Sequence, residues 1–233
     1  MSSTCWHIQN PELFSILKKL LADNYNGLHL FIENNTVYIR GNLVIKNTEG
    51  KELGSFEIEI EVPANYPEGV PIVRETAGKL AKIANRHFNG DENDSACLFV
   101  PEARFKYYPK NSSIVDFIEG PVKSFFLWQI DYDLNGGKSS IGGMSHGLLG
   151  KVEFYREELD TRDTQVILKF IKYLISRKIK KHWSCYCGSG KELRFCHLEE
   201  LLYLREKISK KDADKTYREL ILSKKQLQIL KDN

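Results

Sequence analysis

Long hydrophobic runs are absent from this sequence. Its apolar stretches are only a handful of residues long, whereas a helix that crosses a bilayer needs about 20. The N-terminal stretch MSSTCWHIQNPEL also lacks the basic and then apolar pattern of a secretory signal peptide. These two absences predict a soluble, cytoplasmic protein that has no membrane partner.

Charge of either sign is in little excess. The 233 residues include 34 Lys and Arg against 31 Asp and Glu, which leaves a net charge of +3. Because this balance is so small, a nucleic-acid partner is not expected from the overall charge. With 42% hydrophobic residues, the chain can bury one good-sized core with an appendage, or two small cores.

Cysteine is scarce and unevenly placed. The chain has five, an odd number, so any disulfide scheme would leave one unpaired. Three of them lie within twelve residues near the C-terminus. This clustering favours a metal site in a reducing compartment over a disulfide framework. The five are Cys5, Cys97, Cys185, Cys187 and Cys196.

The first third of the chain has the pattern of a helix followed by a sheet. In PELFSILKKLLADN the apolar residues share one helical face, with Asn10 as the N-cap and Pro11 at the first helical position. Strands are predicted next, because apolar residues alternate with polar ones between turn residues. They are LHLFIE, runs at 37–45 and 56–62, and a short run at 72–75. The pattern predicts an α+β fold with an antiparallel meander.

Regular patterns are weaker beyond the sheet. Residues 76–111 show little periodicity, which is typical of a functional loop or of disorder. Ser112 or Ser113 can cap a helix that Gly120-Pro121 should kink or split. The stretch 133–147 is rich in Gly and Ser and is interpreted as a mobile loop or linker.

A strong helical pattern follows from Val166 to Ile179 and ends in the basic run RKIKK. The basic end is interpreted as compensation of the helix dipole or as a solvated face. A surface that binds a partner is the alternative.

The stretch HFNGDENDSACLFV contains a lone cysteine, Cys97, eight residues after Asn89. A thiolate that attacks a carbonyl carbon needs a donor for the oxyanion that forms, and an Asn amide can supply it. The residues alone leave a second interpretation open, in which Cys97 is a small packing residue of a core strand. The acidic residues Asp91, Glu92 and Asp94 would raise the pKa of the thiol, or simply form a solvated loop.

The order of the elements resembles the ubiquitin-conjugating (UBC) enzyme family over residues 10 to about 130. That family has an N-terminal helix, an antiparallel meander, a YPxxxP loop, an HPN tripeptide eight residues before the catalytic cysteine, an aromatic-proline element and a helix. The matching pieces here are Tyr66-Pro67 with Pro71, His87-Phe88-Asn89, Cys97-Leu98, Tyr108-Pro109 and the helix from Ser113.

This resemblance implies that Cys97 carries a thioester and that Asn89 stabilises the tetrahedral intermediate. His87 would be structural, with its ring bonded to loop backbone, rather than a general base. The chain departs from the family at Phe88, which replaces the proline, at Phe99, where many members have an acidic residue, and in a longer stretch before His87. These departures bear on how an acceptor lysine is guided. His146 could approach the cysteine, or is an ordinary surface residue.

A metal site is predicted from HWSCYCGSGKELRFCHLEE. Its ligand candidates follow the spacing C-x-C, eight residues, then C-H, and three thiolates with one imidazole satisfy tetrahedral Zn²⁺. The stretch resembles the SEC-C motif at the end of the bacterial preprotein translocation ATPase. A filled coordination sphere implies a structural zinc ion, with His182 outside the pattern. The candidate ligands are Cys185, Cys187, Cys196 and His197.

Together the two resemblances imply a bacterial conjugating-like enzyme with a zinc tail. The expected domains are 1–130 (UBC-like), 131–182 (flexible loop and helical extension) and 183–233 (zinc motif and helical tail). The cargo would be the C-terminus of a ubiquitin-like protein or of a nucleotidyltransferase, in an antiphage defence pathway. An adenylating activating enzyme must act separately, because the chain has no glycine-rich ATP loop. The alternatives are a catalytically inactive UBC-like module that docks through its zinc tail and, more weakly, a nucleic-acid module at RKIKKHW.

Overall fold

The computed structural model describes residues 5–90, 94–143, 145 and 147–232, with side chains described up to residue 223. The chain is α+β, as predicted. The helices of the described part are α1 (Trp6–Gln9), α2 (Pro11–Asn24), α3 (Arg104–Tyr107), α4 (Ile114–Phe117), α5 (Lys123–Leu134), α6 (Gly147–Glu158), α7 (Thr164–Ile175), α8 (Leu198–Lys207) and α9 (Lys210–Asp232). No helix among these described residues is both long enough and apolar enough to cross a membrane.

The four predicted strands form one antiparallel sheet. Its order follows the sequence, β1 (Leu28–Glu33), β2 (Thr36–Lys46), β3 (Glu52–Val62) and β4 (Ile72–Glu75). The alternation in the sequence has its expected cause, since buried residues alternate with more exposed ones along β2, except at Gly41, and along β3 from Phe56 to Val62. Asn10 caps α2 as predicted, with its side-chain oxygen accepting a hydrogen bond from the Leu13 N–H at 3.0 Å.

The long helical stretch after residue 113 is interrupted where the sequence predicts. Ser113 forms a capping box with Asp116 at the start of α4. A π-helical turn at Ile118–Val122, which contains Pro121, then separates α4 from α5. Proline removes one helical hydrogen bond, which accounts for the irregular turn. In α5, Phe126 stacks on Phe56 of the sheet with ring centroids 4.6 Å apart.

The chain divides into two compact units. The first consists of Met1–Leu98 and Tyr107–Gly143, and the second of Phe99–Lys106 and Met144–Asn233. Compactness alone does not define a domain, so the predicted boundaries at 130 and 182 stay predictions.

The second unit has its own hydrophobic core. Phe154 of α6 and Phe170 of α7 are completely buried there, together with Cys185 and Leu201. The segment 99–106 is attached to α9 through the buried carboxyl of Glu102, which accepts a hydrogen bond from the Thr216 hydroxyl. Burial raises the pKa of Glu102, despite the hydrogen bond from Thr216.

Helix α7 corrects one prediction. It ends at Ile175, not at Ile179, and the basic run RKIKK lies beyond it. The physical reason comes from a distant residue. Arg205 of α8 donates to the carbonyl of Leu174 at 3.1 Å and to that of Tyr173 at 3.4 Å, and the Tyr173 carbonyl also accepts from the Ser176 N–H, so carbonyls of the last turn of α7 are bonded without the lysines. The lysines of the run RKIKK are therefore not required to bind the carbonyls at the end of α7.

The irregular segment after β4 is organised by one buried carboxylate. Glu75 accepts hydrogen bonds from the backbone N–H groups of Ala77 and Lys79, and its Oε2 lies 2.5 Å from the Lys82 ammonium. Burial acts to raise the pKa of Glu75, but the bonds from Lys82 and from backbone N–H groups outweigh it and lower the pKa below its ordinary value.

We expect Glu75→Gln to reduce the free energy of unfolding at neutral pH by about 2 kcal/mol, the contribution of a hydrogen bond to a charged group. Because the folded pKa is depressed, this stability is present above the unfolded carboxyl pKa of about 4.3 and is lost as the pH falls through the folded pKa. Urea unfolding between pH 7 and pH 3 measures it. The difference in free energy of unfolding between wild type and Glu75→Gln should disappear in acid. Glu57→Gln, on the exposed face of β3, should show no such difference at neutral pH.

Candidate functional sites

Cys97 lies on a short two-stranded hairpin. The Cys97 N–H donates to the His87 carbonyl at 2.7 Å, and the Asn89 N–H donates to the Ser95 carbonyl at 2.9 Å. Phe88 and Ala96 are paired between these two bonds. The Ala96 N–H also donates to the Val73 carbonyl of β4 at 2.8 Å, so the hairpin is bonded to the edge of the sheet.

The inner face of the hairpin is part of the core of the first unit. Phe88 and Ala96 are buried. The Phe88 ring packs edge to face on Phe125 at 5.5 Å, and the Lys82 ammonium lies 4.5 Å from its centroid. Phe88 therefore anchors the hairpin through its side chain.

The outer face carries Asn89, which is exposed. Its amide Nδ2 donates to the Ser95 hydroxyl at 2.9 Å and lies 3.5 Å from the Ala96 carbonyl. Because His87 is opposite Cys97 and Asn89 is opposite Ser95, Asn89 and Cys97 are diagonal neighbours of the pair. In antiparallel pairing such neighbours are about 7 to 8 Å apart between Cα atoms, within the joint reach of their side chains.

The Cys97 thiol is partly exposed. Burial of the remaining surface raises its pKa above the ordinary value for a cysteine. The thiol is therefore protonated at neutral pH, and reaction with an electrophile requires the loss of that proton. Of the three acidic residues predicted to influence it, Asp94 is exposed, while Asp91 and Glu92 lie outside the described residues.

His87 is held in a left-handed conformation, with φ at 57°. Its ring packs edge to face on Trp128 of α5, with centroids 4.6 Å apart. The preceding residue is fixed by Gln129, which is completely buried and donates to the Arg86 carbonyl at 2.7 Å. His87 thus contributes its carbonyl to the hairpin. His146, the other histidine considered for this site, lies outside the described residues.

Trp128 and Gln129 were not identified from the sequence. The one signal in the sequence was that Gln129, a polar residue, lies three positions after Phe126 on the apolar face of the helix. A buried amide there must find hydrogen-bond partners. Nothing local indicates that the partner is the backbone of residue 86.

The second candidate site is a metal centre in the second unit. The ligand atoms of the four predicted residues all lie within 4.8 Å of one another. The sulfurs of Cys187 and Cys196 are 3.6 Å apart, and His197 Nδ1 is 3.2 Å from the Cys185 sulfur and 3.1 Å from the Cys196 sulfur. Ligands about 2.3 Å from a tetrahedral ion lie about 3.8 Å from one another, so the four residues fit a metal ion.

The turn between the two ligand pairs depends on glycine. Gly188 and Gly190 have φ values of 81° and 76°, which side chains rarely adopt. The turn brings the strand before Cys185 against the strand after Lys191, with the Cys185 N–H donating to the Lys191 carbonyl at 2.8 Å.

The electrostatics of this centre also favour a cation. Burial raises the pKa of the Cys185 thiol to about 11. Burial acts in the same direction on Cys187, but hydrogen bonds from the Ser189 side chain and backbone outweigh it and lower the pKa of Cys187 to about 6. Three thiols this close cannot all ionise at neutral pH unless a cation balances them.

Comparison with models of known protein families gives no match to this chain, and comparison with curated proteins gives none either.

Proposed function

We propose that the chain is a ubiquitin-conjugating-like acyltransferase that carries an acyl group as a thioester on Cys97. The observation that carries the proposal is the hairpin, where partly exposed Cys97 and exposed Asn89 are diagonal neighbours. The resemblance of residues 10 to about 130 to the ubiquitin-conjugating enzymes supports the same reaction. The partial exposure of Cys97 is compatible with access of a substrate carbonyl.

The reaction has two steps, the transfer of the acyl group to Cys97 and its transfer from Cys97 to an amine. The Cys97 thiol loses its proton to solvent, and the thiolate attacks the carbonyl carbon of a thioester on the activating enzyme, whose own cysteine leaves as a thiolate and is reprotonated from solvent. An acceptor amine then attacks the Cys97 thioester. The amide bond forms, the carbon–sulfur bond breaks, Cys97 leaves as a thiolate and the amine proton passes to solvent.

Asn89 would act in the second step, when the amine attacks the Cys97 thioester. Its Nδ2 has two N–H groups, and in the structure they are directed at the Ser95 hydroxyl and, at the longer distance of 3.5 Å, at the Ala96 carbonyl. When the oxyanion replaces the Ala96 carbonyl as an acceptor, the hydrogen bond to Ser95 still holds the amide in place. A donor fixed in this way stabilises the charge that develops on the carbonyl oxygen.

The partners follow from the family. The donor would be the C-terminus of a ubiquitin-like protein, or of a nucleotidyltransferase in a bacterial antiphage pathway. A separate adenylating enzyme would activate it.

For the metal centre, we propose a structural zinc ion held by Cys185, Cys187, Cys196 and His197. Sulfur and imidazole ligands in a group of four are typical of such sites, and with all four positions filled the ion would crosslink the turn rather than bind substrate.

The test is the intact mass of the full chain, purified from its own cells at acidic pH without reducing agent. We expect an added mass that hydroxylamine removes, because hydroxylamine cleaves thioesters and leaves disulfides intact. The Cys97→Ala variant should lack it, while Cys5→Ala should retain it. An unmodified wild-type protein, both from cells and after incubation with its activating enzyme, would favour the inactive binding module instead.

A further inference from the structure

A small two-stranded ribbon, here called the knuckle ribbon and defined as residues 180–185 and 191–195, contains Cys185 of the candidate metal centre. Cys187 lies in the turn between its strands, and Cys196 and His197 follow it. Between its two strands, the Leu193 N–H donates to the Trp183 carbonyl at 2.7 Å and the Arg194 N–H donates to the Lys181 carbonyl at 3.0 Å. Ser184 of the first strand is paired with Glu192 of the second. The ribbon thus brings two separate basic segments together.

Positive charge is concentrated in this ribbon and in the residues that lead into it. Residues 177–195 include six Lys and Arg and one acidic residue, a net charge of +5, which exceeds the +3 of the whole chain. The overall charge conceals this excess, because the other residues together carry −2. A divalent ion on three thiolates adds −1, so an excess of +4 remains. The six are Arg177, Lys178, Lys180, Lys181, Lys191 and Arg194, and all are exposed.

Most of these cations have no structural task among the described residues. The end of α7 is already satisfied by Arg205, as described above. Of the six, Arg194 is ion-paired, with its Nε 2.6 Å from Glu192. Like charges held together on one ribbon repel one another, so the arrangement favours a polyanionic partner.

An exposed aromatic ring accompanies the charge. Phe195 is 69% exposed, and the Arg194 guanidinium lies 4.6 Å from its ring centroid. A phenyl ring on a cationic surface provides a face on which an unpaired base can stack, whereas the bases of a duplex are already stacked on each other.

We propose that the knuckle ribbon binds single-stranded nucleic acid, with Lys180, Lys181 and Lys191 neutralising phosphates and Phe195 stacking on a base. A membrane surface is the less suitable partner, because insertion requires an apolar face and Phe195 is the one large exposed apolar side chain of the described ribbon. This site is independent of Cys97, and the proposal stands whether or not the chain transfers an acyl group.

The first test compares the salt dependence of binding. Fluorescence anisotropy of 20-nucleotide oligo(U) and oligo(dT) is followed with the full, metal-loaded protein between 50 and 200 mM salt. We expect affinity to fall steeply with salt. Lys180→Gln/Lys181→Gln/Lys191→Gln should lessen the slope of log affinity against log salt by about 2, because each phosphate contact to a single strand contributes about 0.7.

A matched control removes three exposed lysines from α9 of the same unit, as Lys210→Gln/Lys211→Gln/Lys215→Gln. It changes the net charge equally but should leave the slope within about 0.5 of wild type. Equal slopes for the two triple variants would show that net charge, not the ribbon, is responsible, and would overturn the proposal. So would the absence of binding to both oligomers at 50 mM salt.

The second test separates stacking from charge. Phe195→Ala should weaken binding about tenfold at every salt concentration without changing the slope. Tyr203→Ala, an exposed aromatic residue on α8, serves as the control and should have no effect. Binding to vesicles of phosphatidylglycerol with none to the oligomers, or full affinity in Phe195→Ala, would contradict the assignment. All these residues are exposed, so circular dichroism should show unchanged folding.

Discussion

Replacement of Asn89 by alanine is expected to slow acyl transfer from Cys97 by about 100-fold or more, the effect of losing one oxyanion donor. The thioester should still accumulate, because the thiol itself is untouched. The rate is measured in a single turnover, from the isolated Cys97 adduct after addition of excess free lysine. The loss should appear in the transfer rate at saturating lysine, because the oxyanion exists only in the transition state and intermediate.

Ser95→Ala is the matched control for this experiment. It removes the hydroxyl that accepts from Asn89 Nδ2 at 2.9 Å and leaves the amide in place. One neutral hydrogen bond contributes about 1 kcal/mol, so we expect a loss of about fivefold. If Ser95→Ala slows transfer as much as Asn89→Ala, the amide acts by holding the hairpin and not by stabilising the oxyanion. If wild type forms no adduct at all, the proposed reaction itself is wrong.

Loss of the metal is expected to destabilise the second unit severely. Cys185 and Leu193 belong to the core of that unit, and partly buried Cys187 and Cys196 pack against it. Structural zinc sites contribute on the order of 10 kcal/mol to folding. We therefore expect Cys185→Ser to lower the free energy of unfolding by about 3 kcal/mol or more. Thermal unfolding with and without a chelator, with metal content measured by mass spectrometry, provides the check.

Cys5→Ser is the control, because Cys5 lies outside the metal centre. The metal should also be released as the pH falls. With the pKa of the free Cys185 thiol at about 11, binding must displace a proton at neutral pH, so protons compete with the metal. A chain that purifies without metal, and that Cys185→Ser destabilises no more than Cys5→Ser, would contradict a structural metal ion.

Local patterns account for most of the elements. The side-chain alternation of β2 and β3, the cap at Asn10 and the capping box at Ser113 each depend on neighbours within a few residues. The candidate metal ligands could also be identified from local spacing, since all four lie within thirteen residues and a glycine turn brings the two pairs together. Overall charge does not show where the charge lies, because it sums the basic residues 177–195 with the rest of the chain.

The sequence by itself determined the α+β class, the order of the strands and the group of four candidate metal ligands, because short-range periodicity and spacing carry that information. Only the tertiary structure decided where α7 ends, which residues hold His87, and that Asn89 and Cys97 are diagonal neighbours. The first two depend on a partner far away in the chain, Arg205 at the end of α7 and Gln129 beside Arg86, and the hairpin that holds Asn89 and Cys97 is bonded to the distant Val73 of β4. Which distant groups meet is set by how the cores pack, and no local pattern records it.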